Sequence, residues 1–574
     1  MAYLTVEEIR DQCALLHEQF PDVISVATLP EVTWEGRPMQ FVRIHAGGKA
    51  NRHGFYVEAN IHATEWPTAD AAMHFIDAIV HSLANGTDMV FGGKTFAAAD
   101  IRTAFDRIEL FVLPCVNPDG RDFSMQSGVD ERGHLKVSWR HNRRDNGNDC
   151  FGVDLNRNFD WLWNFPTQFS AAPIYDAEGA GCQGIVVVSD DVCNDDQVYH
   201  GPSPFSEPET RNIKRILDDH PHIRVFVDLH GVLGKVMIPW ADDEVQTTDP
   251  EQHFGNTAFD GKRGLRDALL AGCDGTADPD GVAYREFMHP VDQARYSTFA
   301  TAQRDAIFDV QGTSYGTGIS YLEMYGMSGN SHDYAYSRHL ADPNLNKIDG
   351  YIYEFADQGG FQLHPPSEDP PGEFDLVHLT DDLAAGLTQL LLDTQRIPII
   401  EYQPRTLDFG RLRHNTLLEL RVQLDNLSDR NIDVGPATMI GDAGPFSVAG
   451  IDHPHPGPGE HARIFIDVST DVEPGTYHGR VAIEFHYHGE SVRDVRIVPC
   501  KVDVCNVARG ACVAPVFAGS SAFTCLIKSA VWAVLIAVLT LFAFFDPKIG
   551  CTIRQLKFRI RNCRRGNADP CRTL

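Results

Sequence analysis

A histidine and a glutamate three residues apart, His62 and Glu65 in "NIHATEWPT", stand where the apolar run "GFYVEANI" ends. Imidazole nitrogen and carboxylate oxygen are both zinc donors, and a catalytic zinc takes three protein ligands while leaving a fourth position open. In a chain with 25 histidines a lone His-x-x-Glu carries little meaning without a third donor elsewhere. His230 is the candidate, since in "IRVFVDLHG" it too closes an apolar strand. Two histidines leaving strand ends fit the rule that α/β sheets bind ligands beyond the carboxyl ends of their strands. Between them, "WRHNRRDNGNDCFGVDLNRNFDW" (residues 139–161) carries Arg140, Arg143, Arg144 and Arg157. A guanidinium beside a metal can fork onto a carboxylate or stabilise an oxyanion. The competing reading of the same arginines is a solvated charged loop.

Elements able to position these side chains are visible up to about residue 395. Apolar runs ("FYVEANI", "IELFVLP", "IRVFVDL", "YIYEFA") alternate with helical stretches such as "PETRNIKRILDDH" and "LTDDLAAGLTQLLLDT". That alternation predicts an α/β region with a mixed, largely parallel sheet flanked by helices. After Arg396 the pattern changes: Leu418, Leu420, Val422 and Leu424 alternate with Glu419, Arg421, Gln423 and Asp425, the mark of strands with one solvated face. "ARIFIDVS" and "GRVAIEFHY" repeat it between Pro/Gly turns, so residues 398–504 are expected to form a β-sandwich. Its opening strand, Leu407 to Gly410 ("LDFG"), resembles that of immunoglobulin-like modules.

The 574 residues carry a formal charge of −30, which excludes a nucleic-acid partner because a phosphate-binding surface must be basic. The acidity is uneven, for nine Lys/Arg and two Asp follow from Lys528 onward, leaving −37 on the residues before it. That basic tail (546–574) comes after "SAVWAVLIAVLTLFAFF", Ser529–Phe545, 17 uncharged residues that predict a single transmembrane helix. Residues 505–528 read as its linker. The positive-inside rule places the tail in the cytoplasm and the catalytic residues outside, yet "MAYLTVEEIRDQCALLHEQF" lacks the features of a signal peptide.

His62-x-x-Glu65, "WRHNRR", "GVDLNRNFDW", His230, "MYGMSGNSHD" and "YIYEFADQGGF" follow one another in an order that resembles the zinc metallocarboxypeptidases of the carboxypeptidase A family, over about 390 residues. The resemblance implies one Zn2+ held by His62, Glu65 and His230, with Asp154 orienting a ligand histidine. It implies Glu354 as general base and Arg143 as the oxyanion stabiliser, with Arg140 assisting. Asn156, Arg157 and Tyr325 would hold the terminal carboxylate of a peptide or protein substrate, and His332 would read its terminal side chain. Acidic termini would then gain as pH falls and the His332 imidazole becomes charged.

Some positions depart from the family. Thr64 stands where arginine is frequent, and apparent insertions lie around "DDEVQTTDPEQHFGN" and "SRHLADPNLNK". Cys150 and Cys193 resemble a disulfide pair of secreted members, with Cys182 as a competitor. No inhibitory segment is expected ahead of the opening helix, and residues 1–395 are expected to fold and act alone. Two other functions compete: a deacylase-type amidohydrolase acting on N-acyl amino acids, and an inactive peptide-binding module displayed on a membrane.

Overall fold

The computed structural model of the chain describes residues 3–169, 186–194, 197–264, 284–356 and 376–505. Helix α1 (Val6–Gln19) opens on a capping box, in which the Thr5 hydroxyl accepts from Glu8 N and the Glu8 carboxylate accepts from Thr5 N. Strands β1 (Ile24–Thr28), β2 (Gln40–Ile44), β3 (His53–Ala59), β4 (Ile108–Leu113), β5 (Ile223–Ile238), β6 (Gly316–Ile319) and β7 (Asp349–Ala356) form a seven-stranded sheet. Its order is β1-β2-β4-β3-β5-β6, with β7 also paired to β5. The β1–β2 and β2–β4 pairs are antiparallel, and the other pairs are parallel. Every residue of β3 and of β4 is buried, which is why these strands read as mostly apolar runs, interrupted by His53, Glu58 and Glu109.

Helix α2 (Pro67–Asn85) begins two residues after Glu65 with proline in its first turn and ends at Gly86, whose φ of 68° is the left-handed conformation of a helix stop. Helices α3 (Pro290–Gln311), α4 (Ser331–Ala341) and α5 (Leu376–Thr394) complete the layers beside the sheet. The expected α/β architecture is therefore present.

Strands β8 (Ile400–Gln403), β9 (Leu407–Arg413), β10 (Leu417–Asn426), β11 (Ile432–Ile440), β12 (Phe446–Asp452), β13 (His461–Ser469), β14 (Gly475–Tyr487) and β15 (Arg493–Cys505) form two further four-stranded sheets. Their orders are β8-β10-β13-β12 and β9-β15-β14-β11. In β10 the alternation holds: Val422 and Leu424 are buried while Glu419 and Arg421 face solvent.

The expected division near residue 396 is not where the chain separates into compact units. The larger unit runs to Leu407 and also takes in Leu418–Val468 and His478–Lys501. The smaller gathers Asp408–Leu417, Ser469–Tyr477 and the described residues from Val502; within it the Thr470 hydroxyl donates to Arg413 O and Thr416 O.

Buried charge inside the larger unit explains the grouping. Asp494 of β15 lies 3.0 Å from Arg295, 3.0 Å from Lys347 and 3.2 Å from Arg224, and its other oxygen accepts from Arg496 at 2.6 Å. Asp349 pairs with Arg224 and Arg295, and Asp292 with Lys347 and Arg295. All seven side chains are less than one-tenth exposed. Removing everything after residue 395 would strip Asp494 from Arg224, Arg295 and Lys347, which weighs against the expectation that residues 1–395 fold and act alone.

Cys150 and Cys193 form a disulfide with Cα atoms 5.2 Å apart, while Cys182 lies outside the described residues. So do Ser529–Phe545 and the basic tail; among the described residues no helix is long and apolar enough to cross a membrane.

Candidate metal centre and cleft

His62 and Glu65 sit in the turn between β3 and α2. Asn60, at φ 57°, turns the chain out of the strand, and its side-chain amide donates to His62 O while its backbone N–H donates to the Thr68 hydroxyl. His230 lies in β5 opposite Glu354 of β7, so strand pairing alone brings the two together.

The two histidines are oriented from behind. His62 Nε2 lies 3.2 Å from Asp154 Oδ1, and His230 Nε2 lies 2.8 Å from Asp228 Oδ2. Each carboxylate fixes the proton on Nε2 and leaves the Nδ1 lone pair pointing forward. Those Nδ1 atoms are 3.0 Å apart, with Glu65 oxygens 2.9 Å from His62 and 3.1 Å from His230. Two lone pairs and a carboxylate converging in a buried space repel one another unless a cation lies among them. His62, Glu65 and His230 form the one such group among the described residues, with ligand atoms all within 4.8 Å of one another. The nitrogen–nitrogen–oxygen donor set fits zinc. Burial opposes the charge of Glu65, but charged His62 and His230 imidazoles would hold its carboxyl down to about 2, and a cation among the three donors likewise favours the carboxylate.

Asp154 also anchors the neighbouring chain. Its Oδ1 accepts from Asn156 N, and its Oδ2 accepts from Arg140 Nε at 3.0 Å. Burial disfavours its charge, but Arg140, Arg157 and His62 outweigh that and hold its carboxyl well below the usual range. Asp228 was missed in the sequence. The signal was there, because residues two apart on a strand share a face and Asp228 precedes His230 by two.

A cavity of about 240 Å³ opens over these donors, lined also by Arg140, Asn156, Arg157, Tyr325 and Glu354. Arg157 is fully buried, its Nε donating to Val187 O at 2.7 Å and its Nη1 to Asn156 O at 2.8 Å. The Tyr325 ring centroid lies 5.8 Å from the guanidinium carbon, and its Oη lies 3.5 Å from Nη2. Asn156 Oδ1 accepts from Ser331 N at 2.8 Å, joining this corner to α4. Burial pushes the Glu354 carboxyl up to about 8, with His230 acting against the shift and Glu65 for it.

Two expected residues are elsewhere. Arg143 lies outside the cavity, its guanidinium 3.7 Å from the Phe123 ring centroid and 4.7–4.8 Å from those of Phe151 and Trp139, with Glu35 3.5 Å away. Arg140, three residues earlier, occupies the cleft instead. His332 also lies outside the cavity: it is fully buried, its Nε2 is 3.1 Å from the Ser320 hydroxyl, and burial, then His230, holds its pKa well below the ordinary histidine value. The wall beside the donors is apolar, with Val232, Leu233, Met324, Met327 and Ile352. Met327 and Ile352 of that wall pack against Met237 and Ala241. Thr64 is buried and donates to Val137 O.

A sequence model of the zinc carboxypeptidase family matches residues 9–371. Mouse carboxypeptidase A2 is 30% identical over 240 residues, spanning 42% of this chain and 47% of that protein. Carboxypeptidase B of Astacus astacus is 26% identical over 337 residues, 58% of this chain and 82% of that one. The chain thus spans about half the length of the first of these relatives. Among solved structures, carboxypeptidase A from Helicoverpa armigera aligns with a TM-score of 0.44 at 18% identity, over 68% of this chain and 75% of that one.

Proposed function

The chain belongs to the zinc carboxypeptidase family, and from that premise we propose that it removes the C-terminal residue of peptides, with His62, Glu65 and His230 as zinc ligands. Zinc held there supplies Lewis-acid polarisation of the scissile carbonyl and an acidified water. Glu354 is the base: its carboxylate accepts the proton of the attacking water and returns it to the leaving amine. Burial alone would keep Glu354 protonated at neutral pH, and a divalent cation beside it favours the carboxylate the reaction needs. Arg140, held by Asp154, faces the cleft and offsets the charge that develops on the carbonyl oxygen. Arg157 and Tyr325, with Asn156, receive the terminal carboxylate, which makes the enzyme an exopeptidase. The apolar wall of Met324, Met327 and Ile352 favours aliphatic and aromatic terminal side chains.

One observation carries this reading: three donors converge with a buried carboxylate opposite one of them on the next strand. Its test is hydrolysis of N-blocked dipeptides with free or amidated C-termini, before and after chelation and zinc re-addition. Cleavage of the free acids only, abolished by chelation and restored by zinc, is expected. Preferred hydrolysis of N-acyl amino acids would turn the reading to a deacylase, and binding without cleavage would turn it to an inactive module.

The C-terminal sheets fit an immunoglobulin-like spacer, and the composition of Ser529–Phe545 fits one membrane span with the basic tail on the cytoplasmic side. A full chain released from membranes by alkaline carbonate would refute the span.

A further inference from the structure

The segment that delivers Arg140 is gripped by a buried device that the catalytic reading leaves unused. Asn142, Glu207 and Glu209 are all fully buried. Asn142 Nδ2 donates to Glu207 Oε2 at 2.8 Å and to Glu209 Oε2 at 3.1 Å. On its other side, Asn142 Oδ1 accepts from Val153 N at 2.9 Å, and Asn142 N donates to Val153 O at 3.2 Å. One residue therefore ties the segment carrying Arg140 to the segment carrying Asp154. The spacing of those segments sets the 3.0 Å contact between Arg140 Nε and Asp154 Oδ2, and Arg140 O in turn accepts from Ala63 N, next to His62.

We propose that Asn142 is a positioning residue for Arg140, held in place by the buried Glu207–Glu209 pair. This rests on the oxyanion role given to Arg140 above. The pair is asymmetric. Glu207 accepts from Trp34 Nε1, Arg144 and the Ser206 hydroxyl, whereas Glu209 Oε1 has no hydrogen-bond partner. Two carboxylate oxygens that share one amide nitrogen repel if both are charged, so one carboxyl keeps its proton. Burial first, then Glu207, pushes Glu209 up to about 8, with Asp119 adding to the shift. Arg211 also faces the pair, although it is bound to Glu31, and Arg37 is bound to Asp119. Protonated at neutral pH, Glu209 closes the grip; ionised above pH 8, it repels Glu207 and loosens Asn142.

The test is a double-mutant cycle on the zinc-loaded full chain, with Arg140→Ala, Asn142→Ala and their combination. The expected result is a fall in kcat of about ten- to a hundredfold for N142A when Arg140 is present, with KM little changed, and under about threefold in the R140A background. An equal fall in both backgrounds overturns the positioning role. If R140A alone leaves kcat intact, the oxyanion reading fails and this proposal with it; if R140A is crippled and N142A adds its full effect, only the proposal fails. Glu209→Gln gives an independent readout that needs no Asn142 variant, because it fixes the neutral form. The ratio of E209Q to wild-type kcat is expected to climb about tenfold between pH 7 and 9.5, as wild type loses its grip with the proton. A ratio that stays flat across that range overturns the proposal.

Discussion

The parallel neighbours β5 and β7 each carry a buried ionic assembly at both ends, and the two assemblies are built differently. Toward the carboxyl ends stand His230 and Glu354, paired in register. At the amino ends stand Arg224 and Asp349, joined by Arg295, Lys347, Asp292, Asp494 and Arg496. The amino-end group holds four cations against three carboxylates, each ion within reach of an opposite charge inside the protein. At the carboxyl ends, the His62 and His230 imidazoles converge with Glu65 as a donor set that a metal cation can complete, and Arg140 stands 3.9 Å from Glu65. The sheet thus closes its charge internally where it bonds to later strands and leaves it open where it does chemistry. Loss of a partner at one end should cost stability, and at the other it should cost rate.

Glu354→Gln should give the largest effect: a fall in kcat of about 10³- to 10⁴-fold, because an amide cannot accept the water's proton. Zinc content should stay near one per chain, and the melting temperature should not fall; near wild-type rates with zinc bound would end the assignment. His230→Ala should lose the metal itself.

At the other end, Asp494→Asn should cost about 3–5 kcal/mol of stability, since it leaves Arg224, Arg295 and Lys347 short of a buried anion. Activity per folded molecule should be unchanged. Burial opposes the charge of Asp494, but Arg224, Arg496, Lys347 and Arg295 hold its carboxyl well below its ordinary value. A depressed folded-state pKa contributes stability that is present above the unfolded value, near 3.9, and lost as pH falls through the folded one. Wild type should therefore lose stability below about pH 4, and D494N should show a shallower loss over the same range. Identical acid-unfolding curves would show that the cluster does not act as a unit.

A third comparison separates two arginines of one loop. Arg140→Ala should lower kcat about 10²- to 10³-fold, the range for losing one oxyanion donor. Arg143→Ala removes a guanidinium packed on Phe123, so kcat should stay within about threefold while stability drops by roughly 1–2 kcal/mol. The reverse ranking would restore Arg143 to the oxyanion. Smallest of all is the effect at His332: the kcat/KM ratio for acidic against aromatic termini should be flat from pH 8 to 6, because this buried imidazole stays neutral throughout. A ratio that rises as pH falls would place His332 in the pocket after all.

Much of the fold was legible because burial leaves a one-dimensional trace. Mostly apolar strands marked the parallel sheet, and strict alternation marked the C-terminal strands. The donors were legible because His62, Glu65 and His230 stand next to apolar strands. What misled was charge. Asp494 and Arg496 in "RDVRIV" look like the wet face of an alternating strand, yet both are buried: they pair with each other, and Asp494 also faces Arg224, Arg295 and Lys347, which lie far away in the chain. Periodicity tells which residues share a face, but the opposite charge that covers that face comes from elsewhere.

The sequence by itself determined the chemistry available: two imidazoles and a carboxylate beside apolar runs, a further glutamate on another strand, and a loop rich in arginine; β5 continues past His230 to Ile238, so that histidine does not close its strand. Tertiary structure decided which of those groups meet. Arg140 and Arg143 are the same residue type three positions apart in an irregular loop, where no helical or strand period fixes direction. Only the tie of Asn142 to Val153 and of Arg140 to Asp154 turns one guanidinium into the cleft and leaves the other stacked on aromatic rings. His332 turns to the Ser320 hydroxyl instead of the cavity and Asp228 to His230 for the same reason, since the direction of a side chain is set by packing.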